Sequence, residues 1–396
     1  MAQVILASPA DEVGYTGAPT ASWAPPPFTY PPFEALKIST MTAIAQLNGT
    51  VNLLGAYGWL PQPLYHWQHG LVHKSNKPIP WSGVAGTISS LRIAGRERGY
   101  PRDHAPLKNS VTLGMDTPDK NVSIKLGPQK LHITGAKSEE EIRVAGQLLC
   151  QLLIAAHQDF LYCQARSAQW SAAVHWVLSA AQGPTILREA KVVVDPKAKK
   201  AAKRNPQPSG ELESPALITL VPDIAVNLIT TGPAPELQLD QRMLGLLVPL
   251  TRAFRYYSEL YQHLALMNCC TGVIGDSAAL NYQYLAVTGV QLGMTNYNYH
   301  IGFNVDRIAL ASHMESYGFV VDYHNDTDVG VKFLLPYQAN DTVIAHRKKA
   351  TKNTFILYRC GQIAQSGPDP ERGREAYNKF MSVISLIYPA VQLRTG

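Results

Sequence analysis

Two stretches far apart in the chain carry the same order of signals, and this repetition limits what the chain can fold into. Residues 121–156 read NVSIKLGPQKLHITGAKSEEEIRVAGQLLCQLLIAA, and residues 353–384 read NTFILYRCGQIAQSGPDPERGREAYNKFMSVI. In the first, Val122, Ile124 and Leu126 alternate with Ser123 and Lys125, and Leu131 and Ile133 alternate with His132 and Thr134, on either side of Gly127-Pro128. A period of two predicts a hairpin with one apolar face toward a core and one open face. After Thr134-Gly135, Ser138 with Glu141 three residues on forms a capping box. Glu139 and Glu140 place negative charge at the positive end of a helix dipole. Ile142, Ala145, Leu149, Leu152, Leu153 and Ala156 then recur at helical spacing. The glutamates are thus explained without catalysis. In the second stretch Ser366-Gly367 stands where Thr134-Gly135 stands, Asp369 is the expected N-cap and Pro370 the first helical residue. One unit used twice is the expectation.

Each unit has a matching prelude. LKISTMTAIAQLNGTVNLLGAY (36–57) reads as a strand followed by a short helix, as does NYNYHIGFNVDRIAL (296–310), while SVTLGM and VGVKFLLP read as further strands. The intervening chain is mostly helical, with one helix expected over Arg242–Met267, kinked at Pro249. The predicted fold class is α+β, divided into a Pro-rich arm (1–33), a first unit (34–160), a helical insertion (161–290) with a basic loop (191–215), and a second unit (291–396). The arm, GAPTASWAPPPFTYPPF over 17–33, suits polyproline structure and docking on a neighbour.

Charge is unevenly placed. Of the net +6, the stretch from Lys191 to Arg204 holds six basic residues against one acid, or +5, leaving about +1 for the rest. Lys197, Lys199, Lys200, Lys203 and Arg204 in this loop would add salt-dependent, sequence-independent affinity for nucleic acid. No apolar run approaches the roughly 18 residues of a membrane span, and MAQVILASPADEV lacks the basic and apolar regions of a signal peptide. An intracellular protein without membrane contact is expected. Cys150, Cys163, Cys269, Cys270 and Cys360 form no paired framework. There is no phosphate loop, zincin helix or nucleophile elbow. His263 with Cys269 and Cys270 makes a poor metal cluster, and Cys163 with His157 a weak nucleophile pair. The expectation is a protein that is not an enzyme and takes no cofactor, metal or small-molecule substrate.

TGAKSEEEIRVA resembles the strand–turn–helix signature of the TATA-binding protein family, and KISTMTAIAQLN resembles that family's first strand and following helix. FILYRCGQIAQSGPDPERGREAY sits where the second repeat has its matching hairpin and helix. The resemblance implies a saddle of two pseudo-symmetric units, each a curved antiparallel sheet backed by helices, whose concave face lies in a DNA minor groove. It also implies side chains wedged between base steps, which kink the duplex in that family. Carried over, the contact slots fall on Leu36, Ile38 and Thr40 in the first strand and on Met294 and Asn296 in its counterpart. Thr134 and Ser366 precede the turns, with His132 and Ala364 two residues earlier. The four wedge slots fall on Asn109, Leu126, Asp328 and Tyr358 without gaps; one extra residue at the Gly127-Pro128 turn instead puts Lys125 in the second slot and buries Leu126. The DNA-binding set is therefore Ile38, Thr40, Lys125, His132, Thr134, Asn296, Tyr358 and Ser366, and these side chains imply weakened or altered groove recognition. The insertion and the arm suit protein partners. Such a chain resembles diverged members in large DNA viruses, which implies a nuclear or viral-factory location, or packaging in the virion. The alternative is a structural or scaffolding protein that reuses the fold for protein contacts.

Overall fold

Alternation decides which way the hairpin faces. Val122, Ile124, Leu126, Leu131 and Ile133 are buried, while Lys125, Lys130 and Thr134 are exposed. The extra-residue register is the one the chain adopts, because it puts every apolar side chain of the hairpin on the core side. The computed structural model describes residues 28–63, 82–94, 96–99, 109–181, 240–254, 257–275, 284–324, 329–336, 352–368 and 370–393. In chain order these contain β1 (Ile38–Leu47), α1 (Leu53–Trp59), β2 (Ile88–Ile93), β3 (Arg96–Gly99), β4 (Val111–Asp116), β5 (Asn121–Leu126), β6 (Lys130–Ala136) and α2 (Glu139–Gln164). There follow α3 (Ser167–Ala181), α4 (Gln241–Ala253), α5 (Tyr257–Cys269), β7 (Val287–His300), α6 (Arg307–Ser316), β8 (Val320–Asp322), β9 (Gly330–Pro336), β10 (Lys352–Tyr358), β11 (Gln362–Gly367) and α7 (Pro370–Val391).

The strands form one antiparallel sheet in the order β3-β2-β4-β5-β6-β1-β7-β11-β10-β9-β8. Counted outward from the β1–β7 pair, one side runs β6, β5, β4, β2 and the other β11, β10, β9, β8. β3 is an additional edge strand on the first side. The central ladder runs from Ile38↔Tyr297 to Leu47↔Val287, with register shifts at Ile38/Thr40, Thr42/Ala43 and Gln46/Leu47. β7 begins at Val287, earlier than the sequence signal at Asn296.

Helices cover one face of this sheet over two hydrophobic clusters. The first joins β1, β2 and β4–β6 to α1–α5, through residues such as Leu113, Ile133, Leu149, Trp170, Leu247 and Leu264. The second joins β7–β11 to α6 and α7. There Phe355 and Phe380 stack with ring centroids 4.3 Å apart, and Phe319 meets both edge-on. The helices from the middle of the chain pack on the side of α1 and α2. The Trp170 indole N–H donates to Asn268 Oδ1 at 2.7 Å, Trp170 lies against Trp59, and a Cβ on Gly55 would collide with the Gly272 carbonyl.

Three expectations change. The stretch Arg242–Met267 is two helices, and the break is not at Pro249, which lies inside α4, but at Phe254, an extended residue whose ring is buried under the Arg98 guanidinium at 4.3 Å. The two turn glycines do different work: Gly135 has φ +104°, whereas at Gly367 a Cβ would meet the Asn353 side chain. The described end of the arm, residues 28–33, docks on this chain's own second cluster. Phe28 stacks on Tyr388 at 5.5 Å, Phe33 meets Tyr297 at 4.9 Å, and the Tyr377 hydroxyl donates to the Pro31 carbonyl at 2.5 Å. The rest of the arm, Asp369 and the basic loop lie outside the described residues.

The start of α2 is built as the capping pattern requires, with one change. Ser138 Oγ accepts from the Glu141 N–H at 3.1 Å, but the Glu141 carboxylate reaches back to the Lys137 N–H, at 2.6 Å, rather than to Ser138. The carboxylate is buried, and Lys120 Nζ lies 3.6 Å away. Ser138→Ala should cost about 1 kcal/mol. Glu141→Ala should cost about 2–3 kcal/mol, since it strips a charge-assisted bond and strands buried donors. Denaturant melts of the two variants give both values, and equal costs would mean that the carboxylate adds nothing beyond the cap.

Candidate nucleic-acid interface

The sheet face opposite the helices is carried by the residues that alternate with the buried ones. Because register fixes neighbours, these form rows across the strands. One row is Ser123–Thr134–Thr42–Met294, and another is Thr40–Asn296–Ser366–Thr354–Leu334. Beside them run Lys125–His132–Ile44–Gln291 and Asn298–Ala364–Ile356–Lys332. At the centre Asn296 Nδ2 donates to Thr40 Oγ1 at 2.7 Å, and Ser39 Oγ donates to the Asn296 carbonyl at 3.1 Å. Thr42 pairs with Thr134 as Asn296 pairs with Ser366, so Thr42 and Asn296 occupy matching places in the two halves.

The electrostatics of this face follow from composition strand by strand. From β5 through β6, β1, β7, β11 and β10 to β9, seven neighbouring strands contain no Asp or Glu, whereas they contain Lys125, Lys130, Lys332 and Lys352. Lys332 is tied to Asp322 of β8 at 2.7 Å; Lys125 and Lys130 form no ion pair among the described residues. Partial burial, then Lys130 and Lys125, hold the His132 pKa below the ordinary imidazole range, so the ring is neutral at neutral pH.

Of the residues singled out in the sequence, Lys125 and Thr134 are exposed on this face, and Thr40, His132, Asn296, Tyr358 and Ser366 are half-buried on it. Ile38 is a correction. A bulge between Ile38 and Thr40 sets it opposite Tyr297, and it packs against both hydrophobic clusters on the helix side. Leu36 likewise packs on the second cluster, so the first strand presents Thr40 and Thr42, not Leu36 and Ile38. Leu126 is fully buried and leaves the wedge slot to Lys125; Asn109 is an exposed loop residue, and Asp328 lies outside the described residues. Tyr358 sits opposite Gly330, where any Cβ would crowd its ring. Met294, a carried-over contact slot, is exposed on the face, whereas Thr42, Ile44, Thr354 and Ile356 were missed, although the alternation of Met41, Ala43 and Ala45 in β1 carried the signal for the first two.

None of the described helices covers this face; it closes only toward β2 and β4, where Ser90, Arg92 and Thr112 are buried. His157 Nδ1 accepts from the Val273 and Ile274 N–H groups, and burial pushes the Cys163 thiol up to about 12. Among the described residues no group of His, Cys, Asp and Glu is placed to hold a metal ion, and no helix is long and apolar enough to cross a membrane. Burial also pushes Cys150 up to about 12, while Cys269 and Cys360 are exposed. Iodoacetamide at pH 8 followed by peptide mass mapping should label Cys269 and Cys360 and spare Cys150 and Cys163 until the chain is unfolded.

The sequence matches no protein-family model and no curated protein. Among solved structures, the chain is similar to one described as Methanococcus jannaschii TBP, at 10% sequence identity and a TM-score of 0.32, over 89% of this chain and 98% of that one.

Proposed function

We propose that the chain is a non-enzymatic, TATA-binding-protein-like DNA-binding protein of transcription initiation. In this reading its two halves are repeats of one unit that form a saddle, and the open sheet face meets the minor groove with altered recognition. The observation that carries the reading is the run of seven neighbouring strands without a carboxylate, on a face that no described helix covers. A surface meeting phosphates excludes acids, because each would oppose the field that supplies most of the affinity. Thr40, Thr42, Thr134, Asn296 and Ser366 offer short donors for the acceptors that A·T pairs present in the minor groove. Ile44, Ile356 and Ala364 suit its sugar walls. The sequence signature TGAKSEEEIRVA supports the same family. The wedge slots argue for weaker kinking: Tyr358 is the one described aromatic among them, and Lys125 costs too much to desolvate in a base stack. The basic loop at Lys197–Arg204 adds non-specific affinity, and the helices of the insertion, together with the arm, take protein partners in a nucleus or viral factory.

A scaffolding role, in the virion or elsewhere, is the second reading. It is favoured by Met294, which is 39% exposed in the middle of the face, where a protein partner would bury it.

Fluorescence anisotropy with TATA-containing and random duplexes over a range of salt decides between them. Binding should weaken with salt, and Lys125→Ala should reduce the log–log slope by about 1. Thr134→Asp should weaken binding at least about tenfold by setting a carboxylate against phosphate. Phosphate near His132 would raise its depressed pKa in the complex. The complex would then bind more protons than the free protein, and affinity should rise as pH falls from 7.5 to 5.5, a rise absent in His132→Gln. No binding by the folded chain at low salt would sink the DNA reading.

A further inference from the structure

Away from the open face, at the β3 edge of the sheet, a cavity of about 360 Å3 opens between β3, α1 and α5. This is within the roughly 300–1,000 Å3 typical of small-molecule sites. Its floor is made of Tyr57 from α1 and His263 from α5, only 1% and 2% exposed. The His263 ring is wedged against Phe254 at 4.8 Å and Tyr57 at 6.0 Å. Arg98 forms one wall: its guanidinium lies over Phe254, donates from Nη1 to the Glu97 carbonyl at 2.7 Å, and sits 3.8 Å from Glu259. Arg96, Glu259 and Gln262 complete the rim.

Among the described residues, Tyr57 Oη, both ring nitrogens of His263 and Arg98 Nε are buried without a well-formed hydrogen bond; only the Gly58 backbone lies near enough to His263 to favour its charged form. Leaving such groups dry costs about 1–3 kcal/mol each, and native structures avoid it by pairing them. Four such atoms lining a single recess are the mark of a site that receives something polar.

We propose that this cavity binds a small organic anion, a carboxylate or phosphate monoester that also carries a hydroxyl group. The charges select the sign. Glu259 is matched by Arg98, and Glu97 by Arg92 at 3.5 Å, which leaves Arg96 on the rim with no ion pair among the described residues. The field at the floor is correspondingly positive. Burial first, and then Arg98 and Arg96, push the His263 pKa down to about 3. The imidazole is therefore neutral and presents one donor and one acceptor. The acceptor, with the Tyr57 hydroxyl beside it, asks for a ligand that donates as well as accepts, which sulfate, an acceptor only, does not. The site stands on different residues from the DNA-facing surface and does not depend on that reading.

The test is titration calorimetry on the full chain with glycerol 3-phosphate and malate, with glycerol and sulfate as controls. At least one of the hydroxylated anions should bind with one-to-one stoichiometry, more tightly than sulfate, while glycerol does not bind. Arg96→Gln, at the exposed rim where folding is not at risk, should weaken binding about tenfold or more through loss of a charge-assisted contact. His263→Phe, which keeps a ring between Tyr57 and Phe254, should abolish it, and Arg143→Gln on the distant surface of α2 should leave it unchanged. If no anion binds the folded protein at millimolar concentration, the cavity holds water alone and the proposal fails. It fails equally if Arg96→Gln and His263→Phe bind as the parent does.

Discussion

The β1–β7 ladder is the interaction on which the rest of the architecture depends. It pairs residues from opposite ends of the chain, Ile38 with Tyr297 and Leu47 with Val287, and turns what would be two smaller sheets into one. An unpaired strand edge is a row of unmet N–H and C=O groups, so each half alone would expose β1 or β7 to the first strand it met. Joining them removes both edges and leaves β3 and β8, each short and carrying charge, as the outer strands. The entropy of closing so long a loop grows only logarithmically with its length, so a long stretch of chain between the halves is thermodynamically tolerable. The described helices from that stretch then add to the helix side of the first half.

Legibility in the sequence followed periodicity. The β5–β6 hairpin and the α2 start were readable because a period of two gives way to a capping box and then to helical spacing within thirty residues or so. The β2, β3 and β8 strands were not. RERG has no apolar face, VVD is too short to show a period, and ISSLRI contains a bulge that breaks its alternation. A bulge also hid the true facing of Ile38, since one extra residue reverses every assignment beyond it. Of the candidate face, Thr134, Ser366, Asn296 and Lys125 were reached through the hairpin and the motif, whereas Thr42 emerged only from its pairing with Thr134. The β3 cavity was beyond reach altogether. Tyr57, Arg96 and His263 come from three segments with no motif among them, and a lone His on an apolar helix reads as core.

Bulk charge proved the least informative quantity. Outside the basic loop the chain is nearly neutral, which in aggregate argues against a DNA-binding surface. The sheet sorts that charge by place. The carboxylates of Glu139, Glu140, Glu141, Glu259 and Glu371 lie on helices, those of Glu97 and Asp322 on the outer strands β3 and β8, and that of Asp116 on β4, so the seven strands between β4 and β8 carry none. A composition that is unremarkable in sum thus becomes a polarised object once the strand order is known.

The two halves of that face are not chemically equal. Around Ser366 lie Thr354, Ile356 and Ala364, with Tyr358 farther along β10, whereas around Thr134 lie Ser123, Lys125, His132 and Ile44. The second half offers apolar surface and a ring held in place by the bare backbone of Gly330; the first offers positive charge on a flexible stem. Apolar surface gains from contact with sugar walls and partly unstacked bases, and a lysine gains from staying hydrated near phosphate. A duplex lying across both would be held by shape on one side and by charge on the other. Its orientation would then be set by the asymmetry between the halves, since the topology of the sheet treats them alike.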